Sequence, residues 1–124
     1  MQFTDLELLI VLFGNGGHIP SEKRMSLMYQ VLVHLGVDPS SMQYLVQYTR
    51  LMGSQALKNA PTTMNSAQKQ YLIAYLVVLN SIDGDDTTNL TLRLLSKLFN
   101  MPIMDLSKAW IILNSDSIRF DDDF

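Results

Sequence analysis

The stretch YLIAYLVVLNSIDGDDTTNLTLRLLSKLFNMP, residues 71–102, decides the fold. It reads as an apolar helix, an acidic turn on Ile82-Asp83-Gly84-Asp85-Asp86, and an amphipathic helix closed by Asn100 and Pro102. Residues 71–79 are apolar on nearly every side, which a helix tolerates only where neighbours cover all of it. This helix is therefore expected at the centre of the molecule. Its β-branched and aromatic content also fits a buried strand, but the helical patterns on both sides decide for helix. Thr87 or Thr88 is the expected cap of the second helix, whose inner face would carry Leu92, Leu95, Leu98 and Phe99.

Outward from this core, Ser66 is the expected N-cap of the central helix, over 68–80, and residues 61–66 read as a linker. Upstream, Thr4-Asp5-Leu6-Glu7 opens a helix through Leu8, Leu9, Leu12 and Phe13, stopped by Gly14-Asn15-Gly16-Gly17. Pro20 and Ser21 begin a second helix, with Met25, Met28, Val31, Leu32 and Leu35 on its inner face and Gly36 as a left-handed stop. Asp38-Pro39-Ser40-Ser41 opens a third, with Met42, Leu45, Val46, Thr49 and Met52 inward and Gly53 ending or bending it. Downstream, a helix over 104–113 puts Leu106, Trp110 and Leu113 on one face, with Ile103 and Ile111 beside it. No segment combines period-two alternation with hairpin turn chemistry. The pattern predicts an all-α fold: a compact bundle of about six helices in two similar halves.

The 124 residues suit one domain, 1–124, with halves near 1–60 and 61–118 and an acidic tail over 119–124. Apolar residues make up 48% and charged residues 17%, too few charges to coat a small surface generously, so self-association is expected. The net charge of -3 gives no electrostatic footprint for nucleic acid. With no cysteine, disulfides, thiolate metal sites and a cysteine nucleophile are excluded. The first residues, MQFTDLELL, do not read as a signal peptide, and the longest apolar runs are well short of a membrane span. A cytoplasmic location without membrane insertion is the expectation.

The two halves share an order of elements: apolar helix, glycine turn, amphipathic helix, break, then Pro39 or Pro102 entering a further helix. Gly36 aligns with Asn100, and Met28, Val31 and Leu35 with Leu92, Leu95 and Phe99, although any two helical hairpins share much of such an order. On these residues the chain resembles the tellurite-resistance TerB-like family, most specifically over 68–106, through Leu79-Asn80-Ser81-Ile82-Asp83-Gly84-Asp85. The resemblance implies two related helical halves, each with an Asp-Gly turn. The chain departs from that pattern at Thr88-Asn89-Leu90, where the family places a glutamate, and at Gly16-Gly17-His18, where a second Asp-Gly would stand.

Asp83, Asp85 and Asp86 place three carboxylates in four residues, as a weak divalent-cation site requires. The same acids equally stabilise the start of the following helix. His18 stands in a glycine run without a partner at a recognisable spacing, and reads as a turn residue. Residues 32–50 have a helix-turn-helix outline with Gln43, Gln47 and Arg50 at helical spacing, a DNA-reading arrangement that the acidic balance opposes. The eight methionines read as core filler or as an adaptable peptide groove. No nucleophile–base pair assembles, so an enzyme is not expected. The reading is a non-catalytic interaction module that forms a homodimer or binds a protein partner through Trp110, Ile111 and Ile112. A cation sensor and a helix-turn-helix DNA binder are the alternatives.

Overall fold

A computed structural model describes residues 3–15, 21–84 and 86–115. Among them run six α-helices: α1 Asp5–Gly14, α2 Glu22–His34, α3 Met42–Thr63, α4 Ser66–Asp83, α5 Asp86–Phe99 and α6 Leu106–Leu113. A single 3-10 turn, Pro39–Ser41, leads into α3, and no described residue is in a strand. The all-helical bundle follows the sequence pattern.

The centre is α4. Tyr71 through Leu76, Val78 and Leu79 are buried on every side of the helix, which packs against α1, α2, α5 and α6. Its N-cap is Asn65, one residue before the expected Ser66: the Asn65 carboxamide accepts from the Gln68 amide while the Gln68 side chain returns a bond to the Asn65 N–H. That reciprocal pair satisfies two free amides, which the single serine hydroxyl would not.

A second buried helix, α1, was not evident as such from its pattern. Leu6, Leu8, Leu9, Ile10 and Val11 are all buried, because α3 packs along one side of α1 while α2 and α4 close the others. Thr4 caps its start as expected, and the Glu7 side chain also accepts from the Thr4 N–H, which completes a capping box.

The expected break after Gly53 and the linker at 61–66 are both corrected. Helix α3 runs unbroken through Gly53 and Pro61 to Thr63, and only Met64 and Asn65 separate it from α4. Gly53 serves a close approach: a Cβ there would lie 3.2 Å from Leu12 of α1. Pro61 falls in the last turn, where the Thr62 and Thr63 hydroxyls donate to the Asn59 carbonyl. Helix α5 begins at Asp86, so Thr87 and Thr88 lie in its first turn rather than at its cap.

Helices α2 and α5 end alike. Gly36 (φ 95) and Asn100 (φ 53) are the two left-handed residues among those described. At each, the next amide bonds back to the fifth preceding carbonyl, Val37 to Leu32 and Met101 to Ser96. The residue itself bonds to the third preceding one, Gly36 to Val33 and Asn100 to Lys97, completing a Schellman closure at both ends.

Candidate interaction surfaces and the Arg24 node

The most elaborate polar arrangement is built on Arg24, whose side chain is only 4% exposed. Ser21 caps α2 by accepting from the Arg24 amide, and this places Arg24 in the first turn, pointing inward. Its Nη2 donates to the Phe13 carbonyl at 2.7 Å and its Nη1 to Thr88 Oγ1 at 2.9 Å. Longer contacts reach the carbonyls of Asp83 (3.3 Å) and Gly14 (3.5 Å). One guanidinium thus closes the carbonyl ends of α1 and α4, where helix dipoles favour a cation. It also ties both ends to the first turn of α5.

Asp83 belongs to this node. Its Oδ2 accepts from the Ser21 hydroxyl at 2.9 Å and lies 3.8 Å from Arg24 Nε. One oxygen of this carboxylate is thus engaged by a hydroxyl and a guanidinium, while the side chain stays 41% exposed. Asp86 is exposed at the start of α5, and Asp85 lies outside the described residues. Among the described residues no three His, Asp or Glu side chains gather as a metal would need. His18, Gly16, Gly17 and the tail over 119–124 also lie outside the described residues.

Beside the node, Tyr75 is fully buried and its phenol donates to the Ile10 carbonyl at 3.0 Å. Burial pushes this phenol above the ordinary tyrosine range; the nearby Arg24 charge opposes the shift and Tyr71 adds to it. The packing is tight here, since a Cβ on Gly14 would lie 2.6 Å from the Tyr75 hydroxyl and 2.8 Å from Met28 Sδ. Every buried polar side-chain atom among the described residues has a partner.

Among the described residues, large apolar side chains are exposed on α3, α5 and α6. The Trp110-Ile111-Ile112 run divides: Ile112 is buried at 8% exposure, Ile111 is 69% exposed, and Trp110 is 38% exposed. Ile112 is unavailable to a partner because small Ala109 lets α6 settle against α4, which turns Ile112 and Leu113 inward and Leu106 and Trp110 partly outward. This corrects the face expected for α6. Trp110 forms one wall of a 380 Å³ groove with Leu27, Ile82 and the polar residues Glu22, Lys23 and Gln30.

Leu98, expected inward, is exposed, because the buried face of α5 is Thr88, Leu92, Leu95 and Phe99. Leu90, Leu94 and Leu98 instead form an outward row, 58, 58 and 50% exposed. On α3, Tyr44, Gln47, Tyr48 and Leu51 face a 580 Å³ groove shared with Phe3, whose ring centroid lies 6.1 Å from that of Tyr48. Gln43 and Arg50, the other members of the suspected DNA-reading face, are exposed on the same helix. Met28 and Met42 are buried and Met25 is half-buried, whereas Met52 is exposed. No described helix is long and apolar enough to cross a membrane.

Comparison with protein-family models, curated proteins and solved structures finds no match.

Proposed function

We propose that the chain is a non-catalytic helical interaction module, TerB-like in plan, which presents apolar helix faces to a second copy of itself or to another protein. The observation that carries this reading is the outward row Leu90, Leu94 and Leu98 on a helix whose opposite face already fills the core. Scattered apolar residues are ordinary on a surface, but an aligned row of large ones marks an interaction site. The aromatic face of α3 adds a second such patch. The non-catalytic part of the reading draws support from the polar node: its hydrogen bonds all join helix ends. The two-halves plan draws support from the matched left-handed ends at Gly36 and Asn100, each followed within three residues by a proline.

Sedimentation equilibrium up to near-millimolar protein, combined with affinity capture from the native source, tests the reading. Wild type is compared with Leu94→Glu and Tyr48→Glu. Association or a captured protein should be present with wild type and lost in at least one variant of unchanged circular dichroism. A wild-type monomer whose captured proteins are the same as those of both variants would overturn it.

A further inference from the structure

We infer that the exposed side of α3 receives an acidic segment of another protein, anchored by an aromatic side chain; this rests on the interaction-module reading above and names the chemistry of its partner. Tyr44, Tyr48, Leu51, Gln55 and Lys58 follow one another at alternating spacings of four and three, so they form one stripe about 21 Å long. Gln43, Gln47, Arg50 and Ser54 repeat that spacing along one flank, and all of these residues are exposed. At the N-terminal end of the stripe the two tyrosines, Leu51 and Phe3 shape the 580 Å³ groove. Leu51, at 78% exposure, is the most exposed large apolar residue among those described. Lys58 stands two turns beyond it.

Charge selects the occupant. Residues 39–82 contain no Asp or Glu, so no acid on α3 answers Arg50 or Lys58, and neither has an ion-pair partner among the described residues. The acids at the two ends of the helix are engaged: Asp38 accepts from the Ser40 amide, and Asp5 accepts from the Thr63 hydroxyl. The polar groups along the stripe and its flank are therefore cations, carboxamides and hydroxyls, all able to donate to a carboxylate. A basic segment would meet two unanswered cations, and the same face of a second copy would bring only cations to cations. An aromatic side chain fits the apolar groove. Lys58 lies about 10 Å beyond Leu51, within reach of a carboxylate about three extended residues from that anchor. Two exposed cations fall short of the basic cluster that follows a phosphate backbone, which favours a peptide over nucleic acid. Both cations are exposed, so the preference weakens as salt rises.

Three capped peptides, titrated at low salt into the full chain labelled with nitrogen-15, test the inference. The first has a central Phe with two Asp on each side, the second replaces every Asp by Lys, and the third replaces the Phe by Ala. The first should shift amide resonances between Tyr44 and Lys58. The third should bind about tenfold more weakly, and the second should leave these resonances unmoved. Arg50→Glu and Lys58→Glu, each with unchanged circular dichroism, should weaken the first peptide by about threefold or more. No shift on α3 at millimolar peptide, an equal response to the Asp and Lys peptides, or charge reversals without effect would each overturn the proposal. So would an oligothymidylate that binds α3 more tightly than the first peptide, which would assign the face to single-stranded nucleic acid. If the peptides fail while association or capture is lost in Leu94→Glu, the module reading survives through α5 and the α3 inference is wrong.

Discussion

Replacing Arg24 by alanine should cost about 3–6 kcal/mol of folding stability. The two short bonds, to the Phe13 carbonyl and the Thr88 hydroxyl, are charge-assisted and contribute roughly 1.5–3 kcal/mol each. The contacts to the Asp83 and Gly14 carbonyls are long and add little. The Asp83 carboxylate is 41% exposed and 3.8 Å from Nε, so water screens that pair to below about 1 kcal/mol. Three substitutions separate the contributions. Arg24→Met retains most of the apolar stem but no donors, and should remain nearly as unstable as the alanine variant. Arg24→Lys keeps the charge on one nitrogen that cannot reach two helix ends and Thr88 together, and should lose about half as much. Asp83→Asn should cost less than about 1 kcal/mol. Urea denaturation followed by helical circular dichroism would report these as midpoint shifts at unchanged m. A loss below about 1 kcal/mol in Arg24→Ala, where the bonds require about 3–6, would refute the reasoning. Wild-type stability in Arg24→Met, or a cost for Asp83→Asn equal to that of Arg24→Ala, would do so as well.

Further consequences can be measured on the same material. Gly14→Ala should destabilise by about 1–3 kcal/mol through overpacking against the Tyr75 hydroxyl and Met28 sulfur, and a double-mutant cycle with Tyr75→Phe should show coupling. Additive costs would mean that the pocket relaxes freely. Gly36→Ala has open space around it, so its penalty of about 1 kcal/mol should arise from φ 95 alone, and Gly36→Asn should be milder; equal melting points for all three would contradict this. The raised Tyr75 pKa gives alkaline sensitivity: its stabilisation is whole below the unfolded value near 10 and is lost as pH rises toward the higher folded value. Stability should therefore fall above about pH 10 by roughly 1.4 kcal/mol per pH unit from this group, and by less in Tyr75→Phe. An identical slope in the two proteins would count against the buried neutral phenol.

The helices were legible where an apolar face or a capping residue dominated, as at Thr4 and Gly36, and where a long run was apolar all round, as along residues 71–79. Glycine and proline misled at 53 and 61. Their usual meaning is punctuation, but in α3 the first serves contact with Leu12 and the second lies in a terminal turn. Helix α1 hid its burial because Asp5 and Glu7 in its first turn leave only a short apolar run in a ten-residue helix, which three other helices then cover. Arg24 escaped because arginine is read as a surface residue. The available signal was its place four residues before Met28, in line with the buried face of α2. For α5 the period located the helix correctly and misassigned Leu98. That leucine lies one residue from buried Phe99, and a leucine-rich helix offers two plausible faces where packing accepts one.

The position of α4 in the chain bears on synthesis. The helix that α1 and α2 pack around lies at residues 66–83, so α1, α2 and α3 are all made before it. Until then Ile10 and its neighbours lack the ring of Tyr75 and the residues around it. Before α4 follows, α1 and α3 can pack against each other, but the core they share with α4 stays open. Completion of the core therefore waits for α4.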